Sequence, residues 1–278
     1  MNWSFVNSDF VETDKAMLHI SDLSVQRGYG VFDFFRTSNH VPLFIDDHLD
    51  RFFHSAKELF LDLPFNRAEL KAIIRQLLDK NQLPDSGVRI TATGGYSADG
   101  YAQTKSNLII QQKTMTMPSA EKWEAGLKLM TYEYLRDLPT VKSINYLMGV
   151  WIQKQIAEKK VDDVLYVKNG IISELPRSNI FIVTKGGELI TPGNNVLQGI
   201  TRKRIFEFAS AILPLSIRDV SVSELKTAAE VFVSSSSRRI MPVIETDGQR
   251  VVDGKPGEIT RRLHEIFLKV EKTTTQQS

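Results

Sequence analysis

The sequence predicts an α/β (α+β) fold in two domains, and three observations carry that expectation. Strand-like and helix-like periodicities interleave in the first half, glycine-containing turns signal successive β-hairpins in the second, and a chain of 278 residues is long enough to bury two cores of ordinary size. Hairpins of this kind argue against a purely parallel sheet.

The elements follow in order. Strands are expected at Gly30–Thr37 and Val41–Phe44. Behind the acidic start Asp46-Asp47, the residues Leu49, Phe52, Phe53, Ala56, Leu59 and Phe60 recur at helical spacing, which predicts an amphipathic helix over Ile45–Leu61. Asn66 with Glu69 three residues on is a capping-box signature, and the helix it opens buries Leu70, Ile73, Ile74, Leu77 and Leu78 before stopping near Asn81–Pro84. Val88–Thr93 alternates and runs into Gly94-Gly95, with Leu108–Gln112 as its expected partner strand. Met117-Pro118-Ser119 breaks both periodicities, so the boundary falls there, between an N-terminal α/β domain over residues 1–115 and a larger C-terminal domain over 121–270.

In the second domain Val164–Val167 and Ile171-Ile172 flank Lys168-Asn169-Gly170, and Asn-Gly is the strongest short hairpin signal. Ile180–Thr184 and Glu188–Thr191 enclose Lys185-Gly186-Gly187 as a second hairpin. Gly199–Leu213 turns helical with Ile205, Phe206, Phe208, Ala209 and Ile212 on one face, Val231–Ser234 is a short strand running into serines, and Lys255–Val270 is a closing helix. Residues 271–278, rich in threonine and glutamine, are expected to be disordered, and no internal repeat is visible.

Composition narrows the function. A net charge of +2 with 42% apolar and 24% charged residues is that of an ordinary globular protein, so neither nucleic acid nor an acidic membrane is implied as a partner. The absence of cysteine excludes disulfides, thiolate nucleophiles, zinc fingers and iron–sulfur clusters. No leader pattern opens the chain and no stretch approaches the roughly 18 apolar residues of a membrane span, so a cytoplasmic enzyme is expected.

Several short motifs lead nowhere. Gly28-Tyr29-Gly30-Val31-Phe32-Asp33 begins like a dinucleotide fingerprint but ends on Asp33 and enters a strand rather than a helix. Gly95 and Gly100 have the outer spacing of a phosphate loop, yet Tyr101 stands where the lysine is needed. The five histidines show no metal-ligand spacing, and each reads as a surface or packing residue; no metal is expected. Ser234 to Ser237 lack a nucleophile elbow and read instead as a polar loop or an anion site.

Other features gain meaning together. Lys142, in Thr140-Val141-Lys142-Ser143-Ile144-Asn145-Tyr146, is expected at the edge of an apolar helical stretch, where desolvation favours the neutral amine. Glu174 falls at the end of one hairpin, before the strand that opens the next. Val196–Arg202 is a loop entering a helix, whose open amides and positive dipole end suit a phosphate.

In this order and at these separations the segments Arg27–Asp33, His48-Leu49-Asp50-Arg51, Lys142–Tyr146, Glu174–Phe181, Gly199-Ile200-Thr201-Arg202, Val231–Ser237 and Pro242-Val243 resemble the fold-type IV (class IV) family of pyridoxal-phosphate enzymes. That family holds branched-chain aminotransferases, D-amino acid aminotransferases and aminodeoxychorismate lyases. The resemblance covers nearly the whole chain. It implies a small N-terminal domain, a larger C-terminal domain with hairpins and a pseudo-barrel, pyridoxal 5'-phosphate as cofactor, and a homodimer. By the same resemblance Lys142 forms the Schiff base with the cofactor and Glu174 pairs with its ring nitrogen. Arg51, the amides of Ile200 and Thr201, the Thr201 hydroxyl and Ser236 hold the phosphate, Tyr146 touches the ring hydroxyl, and Asn179, Gly199 and Ser235 complete the cofactor set.

The implied reaction moves an amino group between an amino acid and a 2-oxo acid, with the lysine first carrying the cofactor and then shuttling the proton. Phe32 and Phe34, with Val31 and Tyr29, make one region apolar and point to branched-chain or other hydrophobic amino acids; Arg89, Arg177 and Ser237 are further substrate candidates. Departures from the family lie here. Gly94 stands where D-amino acid aminotransferases resemble one another in an arginine for the substrate carboxylate, Gly87 stands near the position of a branched-chain tyrosine, and Leu175-Pro176-Arg177 replaces small residues after Glu174. The alternatives are therefore a lyase of the aminodeoxychorismate type, a D-amino acid aminotransferase, or a protein that binds the cofactor without turnover.

Overall fold

The computed structural model of the chain describes residues 2–276. It divides into two compact units. The first takes the chain up to Thr116, the segment Val141–Asn145 and the chain end from Thr274; the second takes Met117–Thr140 and Tyr146–Thr273.

The first unit contains β1 (Trp3–Val6), β2 (Asp9–Glu12), α1 (Leu23–Arg27), β3 (Gly30–Ser38), β4 (Val41–Pro42), α2 (Ile45–Glu58), α3 (Arg67–Asn81), β5 (Ser86–Thr93) and β6 (Leu108–Thr114). The strands form one antiparallel sheet in the order β2-β1-β6-β5-β3-β4. Alternation along β3 gives its two faces different work. Val31 and Phe35 join Val88, Ile90 and Ala92 of β5 in a core with Leu49 and Phe52 of α2 and Leu70, Ile74 and Leu77 of α3. Phe32 and Phe34 lie on the alternate positions.

The expected α2 ends three residues early. Phe60 has φ of 54° and is 83% exposed, so the last apolar pair of the helical pattern falls in a turn instead. The strand expected to reach Phe44 stops at Pro42, because Phe44 takes φ of 55° as the residue before α2. At α3 both halves of the expected capping box form: Asn66 Oδ1 accepts from the Glu69 amide at 3.1 Å and Glu69 Oε2 from the Asn66 amide at 2.7 Å.

The second unit contains α4 (Ala120–Ala125), β7 (Leu127–Glu133), α5 (Leu147–Trp151), α6 (Gln153–Lys159), β8 (Asp163–Lys168), β9 (Ile171–Ile172), β10 (Glu174–Leu175), β11 (Ser178–Val183), β12 (Leu189–Thr191) and α7 (Ile200–Ala209). It continues with β13 (Leu215–Ile217), β14 (Val220–Ser221), α8 (Val222–Thr227), β15 (Glu230–Ser235), β16 (Arg239–Thr246), β17 (Gln249–Arg250) and, up to Thr273, α9 (Glu258–Gln276). Its curled sheet has the order β13-β12-β11-β15-β16-β7-β8-β9-β14, with β10 added to β11 and β17 to β16. Among the described residues three pairs are parallel, β12 with β13, β16 with β7 and β7 with β8.

Both expected hairpins form. Asn169 and Gly170 take φ of 51° and 76° between Lys168 and Ile171, the backbone that a two-residue turn requires and that glycine adopts without strain. The helix expected over Lys255–Val270 starts at Glu258 and runs on through Gln276. The tail expected to be disordered from Glu271 is therefore helical to that point: Glu271 is buried and accepts from Arg239 Nε at 2.7 Å. Residues 277 and 278 lie outside the described residues.

Asn66→Ala removes the side-chain half of the α3 cap and is expected to lower unfolding free energy by about 1 kcal/mol. Urea unfolding followed by circular dichroism checks it.

Candidate active site

In the first unit the site grows from one buried acid. Asp33 lies on the helix-covered face of β3 and is fully buried. His48 and Arg51 stand three residues apart on α2, and so share a helix face. The Arg51 guanidinium donates from Nε to Oδ2 of Asp33 at 2.8 Å and from Nη2 to Oδ1 at 2.9 Å, a two-pronged pair. His48 Nδ1 is 2.7 Å from Asp33 Oδ1; since an ionised carboxylate only accepts, the proton sits on Nδ1. Burial alone raises the Asp33 carboxyl, but the charges of Arg51 and then His48 outweigh it and hold Asp33 well below the usual carboxylate range. Burial pushes the His48 imidazole down against the pull of Asp33, and the charges of Arg51 and Lys142 push the same way.

Lys142 is on no helix edge. Its segment lies extended beside β3: Ser143 bridges to Val31, and the Phe32 amide donates to the Lys142 carbonyl at 2.9 Å. The Lys142 amide donates to Ser55 Oγ of α2 at 3.1 Å. The apolar residues that suggest a helix begin α5 only at Leu147. Lys142 Nζ stands 4.6 Å from the centre of the Phe32 ring, and the Arg89 guanidinium stands 4.0 Å from the same centre. Phe34 is paired with Arg89 across the sheet and is half-buried. Lys142, Phe32 and Arg89 thus meet within the first unit.

In the second unit Glu174 is buried on β10. Its Oε1 accepts from Arg136 Nε at 2.7 Å and its Oε2 from the Leu197 amide at 2.9 Å. Asn179 Nδ2 donates to the Leu197 carbonyl at 2.8 Å, so Leu197 is held from both sides of its backbone. Two residues on, Gly199 precedes α7, and a Cβ there would overlap Asn179 Oδ1. Gly199 brings no side chain to cap the helix. Among the described residues no side chain caps the start of α7, with Ile200 and Thr201 in its first turn and Thr201 buried.

Ser236 and Ser237 form the turn between β15 and β16, with Ser235 Oγ 3.4 Å from Ser237 Oγ. The buried Ser234 Oγ has no hydrogen-bond partner among the described residues. Tyr146 is half-buried at the start of α5, and Arg177 is exposed in the turn between β10 and β11. An uncapped helix start, a glycine admitting close approach and a cluster of hydroxyls suit a phosphate; a buried carboxylate suits a protonated ring nitrogen. The donor set fits a phosphorylated pyridine cofactor.

Sequence reasoning misses two residues of these constellations. Asp33 carries a signal, an acid alternating with apolar Val31 and Phe35 on a strand, but its partners lie on another element. Arg136 carries none.

The model of the amino-transferase class IV family matches residues 30–246. The chain belongs to the class IV aminotransferases. It is 30% identical to the D-alanine aminotransferase of Staphylococcus haemolyticus over 272 residues, covering 95% of this chain and 96% of the relative. It is 31% identical to that of Staphylococcus aureus (strain COL) over the same length and shares. Among solved structures it is similar to the Escherichia coli branched-chain amino acid aminotransferase, with a TM-score of 0.89 and 25% identity over 97% of this chain and 94% of that one. It also resembles a T.th. branched-chain amino acid aminotransferase solved with pyridoxamine 5'-phosphate, with a TM-score of 0.90 and 22% identity over 96% and 93%. This class IV aminotransferase is a pyridoxal-phosphate-dependent transaminase acting on amino acid and 2-oxo acid substrates. Its fold is that of the fold-type IV enzymes.

Asp33→Asn leaves the buried Arg51 without its counter-charge and is expected to cost about 3 kcal/mol of stability near neutral pH. Because the folded value of Asp33 is depressed, the wild type keeps this contribution above about pH 4 and loses it as pH falls towards the folded value. The gap between the two proteins should therefore narrow in acid, as measured by denaturant unfolding at stepped pH.

Proposed function

We propose that this transaminase works on amino acids with apolar side chains, branched-chain ones among them, and that Lys142 is its catalytic base. The observation that carries the reading is the Phe32 ring 4.6 Å from Lys142 Nζ, which sets an apolar surface against the reactive amine. Bound pyridoxal phosphate supplies an electron sink for the bond to the substrate's α-hydrogen.

The chain's own residues do the rest. Lys142 Nζ would hold the cofactor and, as a free amine, would take up and give back the substrate's α-proton. Glu174 would hold the cofactor's ring nitrogen in its protonated form, and Tyr146 would serve the ring hydroxyl. By the family resemblance, Arg51 in the first unit and, in the second, the amides of Ile200 and Thr201, the Thr201 hydroxyl and Ser236 would serve the phosphate, with Asn179, Gly199 and Ser235 completing the second unit's set. Phe32 and Phe34 receive the side chain, and Arg89, Arg177 and Ser237 are the candidates for the substrate carboxylate. A homodimer, operating in the cytoplasm, belongs to the same proposal.

A second reading, for D-amino acids, is favoured by the likeness to the staphylococcal D-alanine aminotransferases. Against it stands Gly94, which offers no cation where that group carries one. Handedness is tested by adding single L- and D-enantiomers of leucine, valine and alanine to the yellow holoenzyme without a keto acid. Bleaching by the L-forms of leucine and valine supports the main reading, bleaching by the D-forms alone supports the second, and turnover that needs no 2-oxo acid acceptor would establish the lyase instead.

Lys142→Ala should abolish turnover, whereas Arg51→Lys, which keeps a cation beside the buried Asp33 but loses the fork, should chiefly weaken cofactor binding, with turnover recovered at excess pyridoxal phosphate. Kinetics across cofactor concentrations separate the two; equal loss of cofactor in both variants, with activity restored by adding it, would contradict the assignment.

A further inference from the structure

Glu174 does not stand alone in the second unit. Arg136 lies six residues before Lys142 in the chain, in the segment that follows β7, and its Nε donates to Glu174 Oε1 at 2.7 Å. Its Nη2 donates to the Pro139 carbonyl at 2.6 Å. The pair is withdrawn from water, with side chains 12% and 6% exposed. The guanidinium is thus fixed by two different groups, and a planar fork held at both ends can set the plane of the carboxylate it touches. The Leu197 amide fixes the other oxygen.

Other charges act on the same carboxylate. Arg202 is buried on α7, with Nη1 on Gln198 and Nη2 on the Pro192 carbonyl; burial lowers its proton affinity, and Glu174 is the charge that opposes the loss. Burial raises the Tyr166 hydroxyl, with Tyr134, Asp163 and Glu174 adding to the rise and Arg136 opposing it, so Tyr166 is neutral. Asp163 is itself paired with Arg238 at 2.6 Å. The guanidiniums of Arg136 and Arg202 both bear on Glu174, and Arg136 is hydrogen-bonded to it at 2.7 Å.

We infer that Arg136 is a positioning residue for the cofactor's ring nitrogen, holding the Glu174 carboxylate ionised and in one plane so that the cofactor is still captured in acid. This rests on Glu174 being the ring-nitrogen partner. An ionised Glu174 attracts a protonated pyridine ring; a protonated Glu174 meets that ring without the charge. Removing the adjacent cation makes Glu174 easier to protonate in the empty protein, so affinity for the cofactor should fail at a higher pH than in the wild type.

The experiment titrates the full-length apoprotein with pyridoxal phosphate, followed by tryptophan fluorescence, at steps from pH 8 to pH 5. It compares wild type, Arg136→Gln, Arg136→Lys and Glu174→Gln, and repeats each with the 1-deaza analogue, which lacks the ring nitrogen but keeps the phosphate. The Kd of R136Q relative to wild type should rise about tenfold between pH 8 and pH 5 if the ionised share of Glu174 at pH 5 falls to about one in ten in the variant while wild type stays ionised. With the deaza analogue that ratio should stay flat. R136K keeps the charge but not the fork, so it should recover the pH dependence while binding more weakly than wild type at pH 8. A pH-independent ratio for R136Q, equal for both ligands, would reduce Arg136 to a structural role and overturn the inference. Normal affinity in E174Q for both ligands would instead remove Glu174 as the ring-nitrogen partner, and the inference with it. Impaired E174Q beside an unaltered R136Q overturns the inference alone.

Discussion

A carboxylate sealed from water inside an apolar layer has to be met by cations or donors at every oxygen, and Asp33 imposes that condition on the first unit. Its two oxygens take Arg51 and His48, both from α2. The register of α2 against β3 is therefore fixed by charge as well as by Leu49, Phe52 and Phe35. A slide of α2 by one residue would leave an unpaired ion in the core, which costs more than any single apolar contact it could gain. The constraint reaches the other face of β3 through strand geometry: with Asp33 committed to the helix side, Phe32 and Phe34 are committed to the side of Arg89.

The second unit repeats the logic with other parts. Glu174 is buried, meets a guanidinium on one oxygen and a backbone amide on the other, and through the Leu197 amide holds the loop that opens α7. Asn179 closes the same loop from its carbonyl side. In both units an acid and an arginine orient one another. Preorganised charges of this kind do little for stability beyond cancelling their own desolvation, but they spare a reaction the cost of turning dipoles as charge moves.

What is legible in the sequence is local. The capping box at Asn66 and the Asn169-Gly170 turn each depend on residues within a few positions, and both form as expected. Elements that owe their state to distant partners are not legible. β7 is flanked in parallel by β16 and β8, and nothing near Leu127 announces either neighbour. The stretch around Lys142 has apolar spacing that suits a helix, yet pairing with β3 holds it extended. The final helix outruns its polar composition because Glu271 finds Arg239. For the proposed site, residue type and order nominate Lys142, Glu174 and Thr201, whereas Arg136 enters only because the fold brings it to Glu174.

The setting of Lys142 suits a residue with two successive tasks. Its main chain is pinned on both sides, the amide by Ser55 and the carbonyl by the Phe32 amide, so the root of the side chain is fixed. A lysine stem of four carbons can still turn about its own bonds, and here its Nζ lies 4.6 Å from the centre of the Phe32 ring. A two-pronged pair of the kind that locks Arg51 to Asp33 would bind well and move poorly. A transaminase needs the same nitrogen to hold a carbon, release it and then carry a proton between two positions. A fixed root beneath a rotatable stem suits the role proposed for Lys142, while the forked, directional pairs of this chain fall to arginine.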